Sequence, residues 1–275
     1  MPTVAIATGA GRGMGFECAR RLVDKVDVLL LVDRDKGLLD AAVESLSAGR
    51  TKVRPVALDV TDAVALAGLA AEVRAAGDLR CVAHAAGISP TMADWQRIFS
   101  VDLIGTALLV DALRPLVGEG TAFVCFASMA PYLAVGEVPQ GADEALDAPL
   151  DPDFLDRIHA AVGPGLEDPG VSYGWAKRGV HRLVRREAVR LGASGGRICS
   201  VSPGIIDTPQ GRQEAEQHPL MAELVRRTPL GRTGLASEVA AVVAFLLSDD
   251  ASFVNGIDVL VDGGVYAALQ NPTST

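Results

Sequence analysis

An α/β fold is predicted: a doubly wound, parallel sheet of about seven strands with helices on both faces, closed into a single domain. Three observations predict it. Short apolar runs alternate with stretches of helical periodicity along nearly the whole chain. The first apolar run passes directly into a glycine-rich turn and then a helix. The 275 residues, 49% of them hydrophobic, are enough to bury one large core.

The elements follow in order. Residues 4–7 form an apolar run of the kind a buried parallel strand shows. Thr8-Gly9-Ala10-Gly11-Arg12-Gly13-Met14-Gly15 comes next, and Phe16, Ala19, Leu22 and Val23 then recur at helical spacing. Residues 28–32 give a second strand, with a helical stretch near 38–46. Residues 53–58 give a third, followed by an alanine-rich helix over 62–75 that Asp62 is suited to cap. A fourth strand lies at 80–83, a long helix at 92–116, and a fifth strand at 122–127. A helix at 171–191, a sixth strand at 197–201 and a seventh at 258–261 complete the series. The domain spans 1–269, and 270–275 reads as a frayed tail. In such sheets a ligand sits beyond the carboxyl ends of the strands.

Composition narrows the partners. A net charge of −9 argues against nucleic acid and against an anionic membrane surface. No apolar run approaches the roughly 18 residues of a membrane span, and no signal peptide is visible, so a cytoplasmic location is expected. Cys18, Cys81, Cys125 and Cys199 are scattered, which suits free thiols in a reducing compartment and no metal site.

The glycine turn carries the first chemistry. Strand, glycine-rich turn and helix is the context that a dinucleotide requires. Gly9, Gly11, Gly13 and Gly15 let backbone N–H groups approach a pyrophosphate, with Arg12 and Met14 in the same turn. The positive end of the following helix stabilises the anion. Asp33 ends the second strand, where a carboxylate accepts hydrogen bonds from ribose hydroxyls and repels a 2′-phosphate. That favours NAD over NADP, although Arg34 and Arg12 pull the other way. Further along, Tyr173 and Lys177 stand four residues apart on one helical face. A nearby cation lowers a phenol's pKa from its usual value of about 10, toward the range of a working acid or base.

The run Thr8-Gly9…Gly13…Gly15, the Tyr173/Lys177 pair and the closing Asp262-Gly263-Gly264 together resemble the short-chain dehydrogenase/reductase family, over residues 4–265. The resemblance implies a Rossmann-like NAD(P)-binding domain. It implies that Ser128 hydrogen-bonds the substrate oxygen, that Tyr173 exchanges the proton, and that Lys177 lowers the tyrosine pKa and binds the nicotinamide ribose. Asp102 takes the place of an asparagine whose backbone carbonyl holds a relay water. Its carboxylate leaves that relay intact or pairs with Lys177 and weakens the lysine's effect. Asp59 and Val60 resemble the adenine contact, Asp59 having a turn role as its alternative. Ala86 and Gly87 approach the cofactor by their backbone, while His84 reads as a hydrogen-bonded strand-end residue. Pro203, Gly204, Ile206 and Thr208 border the nicotinamide.

Two segments bear on substrate. Ser128 and Tyr173 lie 45 residues apart, much further than in most relatives, and the extra stretch at 135–168 is acidic and rich in proline and glycine. A short helix with Phe154, Leu155, Ile158 and Val162 on one face is expected inside it, lining the pocket or altering subunit contacts. Residues 209–228 read as a lid, with Leu220, Met221 and Leu224 as apolar contacts. The dense basic side chains Arg182, Arg185, Arg186 and Arg190 read as a solvated or subunit-facing helix side. The expectation is an NAD(H)-dependent oxidoreductase that interconverts a hydrophobic secondary alcohol and a ketone, steroid-like compounds among the candidates, in a homo-oligomer (dimer or tetramer). An NADPH-preferring carbonyl reductase is the alternative within the family. A silent dinucleotide-binding regulatory protein, suggested by Asp102 and Ala85, is the alternative outside enzymes.

Overall fold

The computed structural model describes residues 1–134, 137–217 and 219–271. The first half alternates β1 (Thr3–Thr8), α1 (Gly13–Leu22), β2 (Val28–Asp33), α2 (Lys36–Leu46), β3 (Lys52–Ala57), α3 (Ala63–Ala76) and β4 (Asp78–His84). Next come α4 (Trp95–Phe99), a widened π-type turn (Ser100–Ile104), α5 (Gly105–Leu113), β5 (Ala122–Phe126) and α6 (Ala130–Ala134). Then follow α7 (Ala142–Leu146), α8 (Phe154–Val162), α9 (Pro169–Gly192), β6 (Arg197–Pro203) and β7 (Ile206–Asp207). The chain closes with α10 (Pro209–Gln217), α11 (Pro219–Arg227), β8 (Gly234–Leu235), α12 (Ala236–Leu246), β9 (Asp258–Val261) and α13 (Val265–Gln270).

The described residues form a parallel seven-stranded sheet in the order β3-β2-β1-β4-β5-β6-β9, with β7 and β8 as a separate short pair. The chain leaves β1 toward β2 and β3, then crosses back to β4. The connections that leave β1 and β4 therefore diverge at a switch point, where a cleft must open. Alternation along β1 explains why its run is apolar throughout. Val4 and Ile6 pack on one face with Phe99 and Val180. Ala5 and Ala7 pack on the other with Cys18, Leu39 and Val243. Pro55, which cannot donate to a ladder, stands on β3 at the sheet's edge. Asp35, Asp62 and Asp168 cap α2, α3 and α9 with their carboxylates.

The expected boundaries shift in places. The long helix begins at Trp95 rather than at residue 92 and is interrupted by the π-type turn. The third strand starts and ends one residue earlier than its apolar pattern implied. Helix α12, which packs on α1, has no counterpart in the expected series because it is apolar nearly all round. Gln270, expected in the tail, closes α13, and residues 272–275 of that tail lie outside the described residues.

The segment between Ser128 and Tyr173 folds as α7 and α8 against α4 and α9; Val135 lies outside the described residues. Phe154 and Ile158 are fully buried, and the Phe154 ring meets Phe99 edge-on at 5.6 Å. The basic side of α9 is engaged rather than free. Arg178 and Arg182 form ion pairs with Asp143, and Arg182 and Arg186 with Asp147. Replacing Phe154 with alanine should lower unfolding stability by about 3 kcal/mol or more, read as a fall in the chemical denaturation midpoint.

Candidate active site

The cleft at the switch point is built from the glycine turn. Gly9 and Gly13 both adopt φ +62°, which disfavours any side chain. A Cβ on Gly15 would run into the Gly9 carbonyl group, 2.6 Å from its carbon, so that position admits only glycine. No side chain caps the N-terminus of α1, and its first turn holds no acidic residue. Its amide groups remain available to an anion. Asp33 Oδ2 accepts the Gly11 N–H at 3.0 Å and Oδ1 the Asp35 N–H at 3.1 Å. Gly9, Arg12, Gly13, Met14, Gly15, Asp33, Arg34, Asp59, Val60, Ala86, Gly87 and Thr208 all line this cleft. Gly11 lies behind Asp33, where a Cβ would press on the carboxylate at 3.0 Å. A pyrophosphate-bearing ligand fits this cradle: bare backbone donors, and a carboxylate fixed at the end of β2.

Asp59 is more occupied than its expected adenine contact implied. Its Oδ1 accepts from the Thr61 N–H and hydroxyl at 2.9 and 2.8 Å, and Oδ2 pairs with Arg97 at 2.7 Å. Burial raises its pKa, but the Thr61 and Arg97 hydrogen bonds outweigh that and hold it below the usual carboxylate range. Its side chain is held by the turn and by Arg97, and it stands with Val60 on the cleft wall.

A second cavity adjoins the cleft, and Met14, Thr208 and Gln210 line both. Ser128, Tyr173, Pro203, Gly204 and Ile206 line it together with Met129, Leu133, Met221 and Leu224. Met221 and Leu224, expected as apolar contacts of a lid, line this cavity, while the side chain of Leu220 lies outside the described residues. Thr208 Oγ1 accepts the Gly211 N–H at 3.0 Å, fixing the entry to α10. The 135–168 segment contributes no described residue to this cavity; Leu133 and Gly170, on either side of it, do. Glu214 on α10 is a wall residue not foreseen from the sequence, where only apolar side chains stood out as lid contacts.

Ser128 Oγ accepts the Ala130 N–H at 3.1 Å and hydrogen-bonds Tyr173. Lys177 lies below them, 4% exposed. Its Nζ donates to the Phe126 carbonyl at 3.1 Å, contacts Asp102 Oδ1 at 3.1 Å, and lies 5.6 Å from the centre of the Tyr173 ring. The structure therefore brings the four expected catalytic residues together. It corrects one electrostatic expectation. The Tyr173 pKa is raised, not lowered: burial is the largest cause, the Asp102 carboxylate adds to it, and the Ser128 hydrogen bond only partly offsets them. The alternative in which Asp102 pairs with Lys177 is the arrangement seen. Burial also holds the Asp102 carboxyl above its ordinary range, against the pull of Lys177.

His84 is a strand-end structural residue, as expected, within a buried polar chain. The Thr106 hydroxyl donates to the Asp102 carbonyl at 2.8 Å, so it can only accept from His84 Nε2, 2.9 Å away. The imidazole then carries its proton on Nε2, and Nδ1 accepts from the Thr8 hydroxyl at 2.7 Å. Thr8 Oγ1 in turn accepts the Ala86 N–H at 3.1 Å. The Asp102 carbonyl expected to hold a relay water thus accepts a protein hydroxyl. The four cysteines are buried free thiols, and burial pushes Cys18, Cys81 and Cys125 up to about 12.

These features define a dinucleotide-dependent oxidoreductase site, and comparison with known proteins gives the family. The short chain dehydrogenase profile matches residues 3–135, and the Enoyl-(Acyl carrier protein) reductase profile of the same group matches 160–266; neither reaches 136–159. The chain is 32% identical over 274 residues to the short-chain dehydrogenase/reductase bsc3 of Alternaria brassicicola, covering 98% of each. It is 31% identical over 269 residues to galactitol 2-dehydrogenase (L-tagatose-forming) of Cereibacter sphaeroides, covering 94% of this chain and 93% of the relative. A short-chain type dehydrogenase/reductase structure from Mycobacterium ulcerans superposes with a TM-score of 0.76 at 28% identity, covering 96% and 90%. The chain belongs to the short-chain dehydrogenase/reductase family and is an NAD(P)-dependent oxidoreductase acting on alcohols. Among the described residues no helix is long and apolar enough to cross a membrane.

The neutral His84 has a measurable signature. Burial depresses its pKa from 6.5 to about 3, so the unfolded chain takes up the proton first as pH falls. Its contribution to stability is complete above about 6.5 and is lost toward 3. Between pH 6 and 4 the wild type should lose about 1 kcal/mol more per pH unit than His84→Gln, by denaturant titration at each pH.

Proposed function

We propose that the protein interconverts a secondary alcohol and a ketone, using NAD(H) in preference to NADP(H). The observation that carries the reading is the placement of Ser128 and Tyr173 on the wall of a largely apolar cavity that opens onto the glycine cleft. The nicotinamide supplies hydride exchange at its C4. Ser128 holds the substrate oxygen by hydrogen bonding. Tyr173 gives its hydroxyl proton to a carbonyl oxygen in reduction and, as phenolate, takes the alcohol proton in oxidation. Lys177, fixed between Phe126 and Asp102, is placed to hold ribose hydroxyls below the phenol. Gly9, Arg12, Gly13, Met14 and Gly15 receive the pyrophosphate, with Gly11 behind them holding Asp33 by its N–H, and Ala86, Gly87, Pro203, Gly204, Ile206 and Thr208 supply the cofactor's remaining borders.

Asp33 supports NAD. Two backbone N–H groups hold its carboxylate at the cleft wall, where it accepts from ribose hydroxyls and opposes a 2′-phosphate. Arg12 and Arg34 line the same cleft and support the NADP alternative. Met129, Leu133, Met221 and Leu224 favour a hydrophobic substrate, steroid-like compounds included. The Glu214 carboxylate among them favours neutral substrates over carboxylates and can accept from a second hydroxyl, as a polyol would offer. Homo-oligomer formation is supported by exposed apolar side chains near β9, which is an edge strand: Phe245, Phe253 and Ile257.

The test is a panel of neutral secondary alcohols and ketones, assayed by nicotinamide absorbance with both cofactors. Tyr173→Phe should reduce kcat by about 100-fold or more while dinucleotide binding persists. Full activity in that variant would remove the acid/base role. Asp33→Ala should shift the ratio of kcat/KM values toward NADP by about tenfold or more, because a like-charge repulsion is lifted.

A further inference from the structure

Asp102 is a charged group where the family pattern leads one to expect a neutral amide, and it is 1% exposed. Its Oδ1 accepts the Ile88 N–H at 3.1 Å and meets Lys177 Nζ at 3.1 Å, while Oδ2 has no hydrogen-bond partner among the described residues. The meeting depends on Gly87, whose Cβ, if present, would stand 2.6 Å from Oδ1 and 3.4 Å from Nζ. The other contact of Lys177 is a neutral carbonyl.

We propose that Asp102 is a positioning residue that cancels the Lys177 charge, so that Tyr173 keeps its proton through the neutral range and stands ready to donate it to a carbonyl. The inference rests on the oxidoreductase reading above and extends it to the pH at which each direction runs. A lone ammonium beside a phenol would favour the phenolate. The Asp102 carboxylate and the Lys177 ammonium meet at 3.1 Å and together carry no net charge, so the phenol faces only a dipole. In reduction, hydride adds to the carbonyl carbon, the Tyr173 O–H bond breaks, and its proton passes to the carbonyl oxygen. The phenolate left behind regains a proton from solvent. Oxidation is the reverse and must begin from the phenolate. Reduction is therefore flat through neutral pH, and oxidation climbs with pH until the phenol ionises. The equilibrium constant still fixes the ratio of the two rates at any one pH; Asp102 sets where both profiles turn.

The other groups facing the pair and the phenol come from every packed element. Ser128 at the end of β5 favours the phenolate, and Glu214 on α10 acts in the same direction as Asp102. His84 on β4 and Cys125 on β5 stay neutral through burial.

The test is Asp102→Asn, which keeps an Oδ1 acceptor for Ile88 and Lys177 and removes only the charge. The midpoint of the kcat/KM profile for oxidation should move down by about one pH unit or more, with the fall in reduction moving equally. A second readout needs no turnover. The chain has 3 tyrosines, so phenolate absorbance can be titrated in the cofactor-free protein. One phenol should ionise at lower pH in Asp102→Asn than in wild type, and that change should vanish in Asp102→Asn combined with Tyr173→Phe. An unmoved midpoint with an unmoved titration overturns the proposal, as does a shift seen in Glu214→Gln but not in Asp102→Asn. A moved titration without turnover of any alcohol or ketone upholds the role of Asp102 and sinks the substrate reading instead.

Discussion

Everything at the site depends on holding the ends of β1 and β4 level where the chain reverses its order across the sheet. Thr8 and His84 are register partners there. A side chain on Gly9 would come within 2.9 Å of the Ala86 backbone nitrogen. The two strand ends thus touch backbone to backbone, and the Thr8 hydroxyl joins them by bonding His84 and the Ala86 amide. The same polar chain continues through Thr106 to the carbonyl of Asp102. The turn that would receive a pyrophosphate and the helix that carries Asp102 are therefore parts of one hydrogen-bonded body. A buried imidazole with both nitrogens satisfied stiffens that body at little cost in desolvation.

Helix α9 shows how one element serves several tasks. Asp168 and Pro169 start α9 sharply, so that Tyr173 arrives one turn later at the cavity wall. Lys177, a further turn on, is buried against β5 through the Phe126 carbonyl. His181 reaches Ser202 on β6 and lies beside Asp258 on β9. Successive turns of one helix thus register the phenol and the ammonium against three strands. That precision is what proton exchange at a bound oxygen needs.

Much of this was legible in the sequence. The strands were visible because both faces of the sheet are covered, which makes residues 4–7 and 28–32 apolar throughout. The glycine turn, Asp33, Ser128, Tyr173 and Lys177 stood out by residue type and spacing, and the structure sets them around one cleft and its adjoining cavity. What was not legible depended on packing. The π-type turn has no breaker residue to announce it; it accompanies the close seating of Gly105 against Val60. Helix α12 has no polar stripe to betray its period. The direction of the Tyr173 shift could not be read from Lys177 alone, because it follows from burial and from Asp102, 71 residues upstream. Glu214 sits in a polar segment where nothing local marks it as a cavity residue.

The attachment of α7 to α9 has a consequence for how such a protein can change. Its ionic contacts are made by long arginine side chains to Asp143 and Asp147, on the outside of a helix whose inner side carries Tyr173 and Lys177. Among its described residues no strand of the sheet runs through this added segment, and none of them lines the cavity. The graft is held both by charge on its outer side and by Phe154, Ile158 and Leu166, which are buried in the same core as Phe99 and Val180. Its charged rim can therefore be altered without touching the cavity beneath, whereas its buried side chains cannot be removed without opening the core they share with α4 and α9.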